Sequence, residues 1–118
     1  MADSADRWEA ATGVRTGYAS PMAPNLELEP APFECGAHLA WGCYNGVTNT
    51  ITLDVSRPDN HLDAIILHEM GHYLYGTHHG SGDDVMAPGA PSPNYCITEH
   101  DVELVCERRA CTRFQPEC

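Results

Sequence analysis

The chain contains no lysine. Its strong cations are 6 arginines, set against 17 aspartates and glutamates, for a formal net charge of −11. A surface this acidic repels phosphate backbones and argues against nucleic-acid binding. It also disfavours strongly acidic substrates, although its first effect is to keep the protein in solution. No run of 18 apolar residues occurs anywhere, which excludes a helical membrane span. The opening Met-Ala-Asp-Ser-Ala-Asp lacks the basic-then-apolar pattern of a signal peptide. With 118 residues there is room for one small domain, spanning residues 1–118, with one core and one site.

What the chain does have is cysteine. Six in a chain of this size point to an oxidising compartment and up to three disulfides. A secreted protein whose leader has been removed reconciles these cysteines with the absence of a signal sequence. Six cysteines allow about 15 pairings. Cys35 and Cys43 flank a short segment and can staple a loop. Cys96, Cys106, Cys111 and Cys118 crowd the C-terminal region and can pair among themselves. A structural zinc on those four thiols is the competing idea, but their spacings lack the two-residue gap typical of zinc knuckles, so disulfides are preferred.

The most informative stretch is His68-Glu69-Met70-Gly71-His72, followed by His78, His79 and Met86. Two histidines four apart on a helix share one face, so both imidazoles can reach one metal ion. Glu69 points about one residue's turn away, beside the metal, where a general base can take a proton from water. Gly76 can end the helix in a left-handed conformation and let the chain return a third histidine. Three neutral histidines leave zinc an open position and argue for catalysis; a structural site is closed by four protein ligands.

The run HEMGHYLYGTHHGSGDDVMAP resembles the metzincin clan of zinc peptidases, whose signature is two helix histidines, a glycine, a third histidine and a downstream Met-turn. It is most similar to the matrixin-like (matrix metalloprotease-like) members. The likeness is concentrated in residues 60–89. It implies His68, His72 and His78 as zinc ligands, Glu69 as general base and Met86 as the Met-turn methionine, a hydrophobic floor that does not ligate. One departure bears on the third ligand. The family's glycine stands seven residues after the first histidine, where this chain has Tyr75, and the glycine comes one later, at Gly76. Counting from the helix histidines and from Met86 gives His78; counting three from the glycine gives His79.

The resemblance implies an α+β, zincin-like fold. Its parts are a small twisted, mostly parallel sheet with an antiparallel edge strand, an active-site helix, a Met-turn and a C-terminal helix. The sheet and helix part covers about residues 1–75, the Met-turn and last helix about 76–118. Family members carry a further strand before the first helix. This chain starts almost at that helix, so the sheet is smaller, or an upstream segment (a pro-segment among the possibilities) has been removed, or a partner chain supplies a strand.

Along the chain, Ser4 or Asp3 caps a helix over 4–12, with Ala5, Trp8 and Ala11 on one face and Gly13 ending it. Val14–Ala19 is a weak strand candidate, and Pro21 and Pro24 mark a turn. Leu26–Glu29 alternates as a half-buried strand whose glutamates face water. His38–Tyr44 is a second strand, by chain order the free edge above the cleft, and Trp41 lies either in the core or along that cleft. Thr50–Ser56 is the clearest strand, with Ile51, Leu53 and Val55 on one face. Asn60 or Asp59 caps the next helix, with Asp63 completing a capping box on Asn60. That helix runs to about Tyr75, its core arc being Leu62, Ile66, Met70, Tyr73 and Leu74, with Leu67 adding to it. Asp83 and Asp84 sit in a polar loop and are either solvated or a calcium site. Gly89–Tyr95 is a loop that by resemblance shapes the pocket after the cleaved bond, with Tyr95 as a wall candidate. Thr98 caps the last helix, with Asp101 three residues on.

These readings imply a zinc-dependent endopeptidase acting on peptides or proteins, with neither nucleic acid nor membrane as partner. The alternative is a secreted zinc-binding module of the same fold without turnover, a pseudo-peptidase or recognition domain. Glu69 speaks against that alternative, because holding a metal does not require a general base there.

Overall fold

The computed structural model describes residues 2–15, 25–29, 33–35, 38–40, 42–54, 59–76, 79–80, 84–87 and 96–118. Among these described residues three helices and five strands follow in the order α1 (Ala2–Thr12), β1 (Asn25–Glu29), β2 (Phe33–Cys35), β3 (His38–Ala40), β4 (Gly42–Asn45), β5 (Thr50–Asp54), α2 (Asp59–Tyr75) and α3 (Glu99–Cys106). The class is α+β.

The larger sheet has the order β1-β5-β4. β1 runs parallel to β5, with Leu26 opposite Ile51 and Leu28 opposite Leu53. β4 runs antiparallel to β5, with Tyr44 opposite Ile51 and Gly42 opposite Leu53. The turn from β4 to β5 is short, and Asn49 takes a positive φ of 51° there, a conformation asparagine tolerates better than most residues. Ile51 and Leu53 are buried, and β4 and β5 both pack against α2.

The single strand expected over His38–Tyr44 is two strands. His38–Ala40 forms a small antiparallel ribbon with Phe33–Cys35, and only Gly42–Asn45 joins the main sheet. Alternation of residue types does not reveal this division, because it carries no record of which strand each segment takes as its partner. Val14 and Arg15 are not strand, and the rest of that weak candidate, residues 16–19, lies outside the described residues. So do Pro21, Pro24, Pro30, Pro32, Trp41, Val55, Ser56, Pro58 and Gly89–Tyr95.

α1 forms because small and apolar residues recur on one face. Ala5, Trp8 and Ala11 are buried, and the Trp8 indole N–H donates to the Leu67 carbonyl at 2.9 Å, docking α1 on α2. Burying a side chain of this size stabilises by roughly 2–3 kcal/mol. The helix closes at Gly13, whose φ of +75° suits glycine. A Cβ there would overlap the Thr112 hydroxyl, because the C-terminal tail lies against this end, with Thr112 and Arg113 N–H groups donating to Thr12 O.

α2 starts at Asp59, so both residues expected as its cap, Asn60 or Asp59, already lie within the helix. Its core face also differs from expectation. Met70, Leu67 and Leu74 are buried together with Ala64, Ile65 and Tyr75, whereas Leu62, Ile66 and Tyr73 are only partly covered. The helix is enclosed by the sheet on one side and by α1 and α3 on the other. A helix covered on several faces has no single apolar stripe for periodicity to locate.

α3 begins with the expected capping box: Thr98 accepts from the Asp101 N–H, and the Asp101 carboxylate accepts from the Thr98 N–H. Val102 and Val105 enter the core. The tail is fastened by Cys96–Cys118 and Cys106–Cys111, which excludes a structural zinc on those four thiols. Cys43 is also disulfide-bonded, while the Cys35 side chain lies outside the described residues. Formed disulfides fit an oxidising environment. No helix among the described residues is long and apolar enough to cross a membrane.

Candidate metal centre

His68 and His72 project from the same face of α2, and His79 meets them after the helix ends. One ligand atom from each lies within 4.8 Å of the others. The turn that makes this possible is at Gly76, which adopts φ +109° and whose N–H donates to the His72 carbonyl at 2.8 Å. His79, one of the two alternatives for the third position, is thus brought to the cluster. His78, the other, lies outside the described residues. α2 runs through Tyr75, and His79 stands three residues after Gly76, the position that counting from the glycine gives.

Each helix histidine is oriented through its far nitrogen. His68 Nδ1 lies 2.7 Å from the Val85 carbonyl, and His72 Nδ1 lies 2.7 Å from the Gly76 carbonyl. A carbonyl only accepts, so both Nδ1 atoms carry the proton and both Nε2 atoms present lone pairs. Those two Nε2 atoms face each other at 3.1 Å. Two lone pairs at that distance repel unless a cation lies between them. Two nitrogens of a tetrahedral zinc site, with bonds of ~2.0–2.1 Å, are about 3.3 Å apart. The donor set therefore fits a metal ion. The electrostatics agree: burial, and then the neighbouring His72, push His68 down from 6.5 to about 4, and burial also lowers His72. Both rings are held neutral, the form that binds metal.

Glu69 lies between the histidines in sequence and is buried. Removal from water pushes its carboxyl up from 4.5 to about 8, opposed by a hydrogen bond from the Tyr44 backbone. That bond ties it to β4. A Cβ at Gly42, also on β4, would overlap Ile65 and come within 3.3 Å of Glu69 Cγ and 3.4 Å of its Oε1. Gly42 thus lets the edge strand close onto α2 and the carboxylate. A glycine inside a strand is a sequence signal for such close approach.

Met86 is fully buried against Gly71. Its turn is held by Asp101, whose Oδ2 accepts from the Val85 N–H at 2.7 Å and whose Oδ1 accepts from the Met86 N–H at 3.0 Å. Burial raises the Asp101 carboxyl above its ordinary value, opposed by the N–H groups of Thr98, Val85 and Met86. From sequence, Asp101 is legible as part of a helix cap and not as a support for this turn, since the contact spans 16 residues of chain.

Asp84 is engaged by protein donors: Thr98 Oγ1 donates to Oδ1 at 2.7 Å, and His100 Nδ1 lies 2.5 Å from Oδ2. Asp83, its neighbour in the calcium reading, lies outside the described residues, as does Tyr95. Glu27 of β1 is exposed. Compared with family models, curated proteins and solved structures, the chain matches none.

Proposed function

We propose that the protein is a secreted zinc-dependent endopeptidase of zincin-like fold, with His68, His72 and His79 holding the metal and Glu69 as general base. The observation that carries this reading is the pair of Nε2 lone pairs facing each other at 3.1 Å, completed by His79 and flanked by a buried carboxylate. Zinc would act as a Lewis acid that polarises the substrate carbonyl and eases deprotonation of water.

The remaining chemistry belongs to the chain's own side chains. Glu69 takes the proton of the attacking water and passes it to the leaving amine, so it must be a carboxylate at the start and a carboxylic acid midway. A pKa near 8 in the metal-free site suits a group that keeps a proton once it has one, and a cation beside it makes the ionised form accessible. The Tyr44 backbone and Gly42 hold that carboxylate at the sheet edge. Among the described residues no strand pairs with the other edge of β4. An extended peptide adding itself along that edge would pass directly beside Glu69. Met86 supports the floor beneath α2 without ligating.

A metal-holding module without turnover is the weaker reading. Burying Glu69 is unfavourable when the group is charged, and a merely structural site has no use for an unfavourable carboxylate in that place.

The test is cleavage of a broad mixture of unstructured peptides by the zinc-loaded chain beside Glu69→Ala. The wild type should cut, and Glu69→Ala should bind zinc and not cut. Cleavage by Glu69→Ala would remove it as the base. Zinc bound by both with no cleavage by either would favour the module. For the third ligand, His79→Ala should lose zinc affinity by orders of magnitude and His78→Ala should not; the reverse pattern would assign His78.

A further inference from the structure

The geometry points to Asp101 as a positioning residue for the metal centre, acting on His68 through one intervening peptide group. The contacts form a continuous line. The Asp101 Oδ1 accepts from the Met86 N–H at 3.0 Å. That N–H belongs to the same peptide unit as the Val85 carbonyl, which accepts from His68 Nδ1 at 2.7 Å. A carboxylate, a peptide and an imidazole are thus joined in series, the peptide receiving a negative charge at its donor end and giving a hydrogen bond at its acceptor end.

A hydrogen bond at one end of an amide strengthens the bond at the other, because both draw on the same polarisable group. The Asp101 charge therefore makes the Val85 carbonyl a better acceptor, which in turn makes His68 Nε2 a better donor to a metal. It also fixes the ring, since the Val85 carbonyl cannot rotate while the N–H groups on both sides of it are bound to one carboxylate. Ligating histidines commonly give their second nitrogen to a carboxylate directly; here a backbone group stands between the two. Asp101 is fully buried, and its other contacts to the Thr98 N–H and hydroxyl, at 2.9 and 3.0 Å, anchor it to the start of α3. The last helix thereby holds the first ligand through the Met86 turn.

This role rests on His68 being a metal ligand, and the experiment separates the two claims. Zinc affinity is measured by competition with a chromophoric chelator for the wild type, Asp101→Asn and Thr98→Val, with thermal unfolding of each metal-free chain and the visible spectrum of each cobalt-loaded chain. Asp101→Asn keeps size and shape and removes the charge; it should weaken zinc binding by about 10–100-fold and shift the cobalt bands. Thr98→Val loosens the cap of α3 and leaves the peptide relay in place; it should lower the melting temperature with zinc affinity within about twofold of the wild type, a margin small beside the loss a broken support produces. Equal loss in both variants would make Asp101 a cap residue only, and unchanged affinity in a folded Asp101→Asn would overturn the relay. Absence of zinc binding by the wild type would overturn the metal reading itself. Should Asp101→Asn not fold, through-hydrogen-bond couplings in the zinc-loaded wild type decide. Couplings from Met86 N to the Asp101 carboxyl and from His68 Nδ1 to the Val85 carbonyl should both be present, and loss of the first alone would sever the relay.

Discussion

Gly71 and Met86 compete for one volume. A Cβ on Gly71 would overlap the Met86 Sδ, lie 3.0 Å from its Cε and lie 3.1 Å from Trp8 Cζ2. The glycine between Glu69 and His72 is thus the gap through which the methionine packs under the helix that carries both histidines.

Gly71→Ala should therefore destabilise the protein. In an open helix the same change stabilises by up to about 1 kcal/mol. Here overpacking against two fully buried side chains should cost roughly 1–3 kcal/mol net. Denaturant unfolding of the metal-free chains measures it, and a more stable Gly71→Ala would show that Met86 has room to move.

Gly42→Ala tests a different contact. The added methyl meets Ile65 and Glu69 and must push β4 away from α2. The nearest atoms belong to Ile65 and Glu69 and not to the clustered histidines, so on the proposed function zinc binding should persist while peptide cleavage falls by an order of magnitude or more, the scale set by misplacing a catalytic group by about 1 Å. Loss of zinc and cleavage together would mean that the edge strand supports the histidines as well.

The metal-free protein should lose stability at both ends of the pH range, for separate reasons. Glu69 is raised to about 8 from 4.5, so the folded chain holds the proton more tightly and this group lowers stability as pH climbs through that interval. His68 is lowered from 6.5 to about 4 and His72 is lowered too; their contribution is full above 6.5 and is lost as pH falls toward 4. Glu69→Gln should abolish the alkaline decline and outlast the wild type at pH 8 by a few kcal/mol, on the scale of ~1.4 kcal/mol per pKa unit. Melting temperatures from pH 4 to 9 provide the check, and parallel curves for the two chains would count against a raised Glu69. Bound zinc should flatten the alkaline arm, since a cation favours the ionised carboxylate.

Replacing both Cys96 and Cys118 with serine should cost about 3 kcal/mol, the chain-entropy scale for a loop of this size. The tail that this bond fastens also carries Glu117, whose N–H donates to the Ile97 carbonyl and whose carboxylate accepts from the Ile97 N–H and from Arg7. Calorimetry of the double variant tests the magnitude. An unchanged melting temperature would mean that those hydrogen bonds alone secure the tail.

Much of the helical framework is local and therefore legible. Trp8 with two alanines at helical spacing, Gly13 and Gly76 at helix ends, Thr98 with Asp101 and the alternating strand from Thr50 each depend on neighbours within a turn or two. The spacing of His68, Glu69 and His72 likewise specifies that two imidazoles share a face and a carboxylate stands beside them. What tertiary structure decides is how distant pieces meet. The third histidine depends on where one left-handed glycine turns the chain, and a motif shifted by one residue left two candidates, of which His79 is seen at the cluster. The halves of the expected edge strand take different partners, because pairing is a property of two strands and not of one. The roles of Gly42, Gly71 and Asp101 are set by contacts with Ile65 and Glu69, with Met86, and with the N–H groups of Val85 and Met86. Sequence periodicity carries no record of those separations, whereas close packing and the pairing of buried polar groups require them.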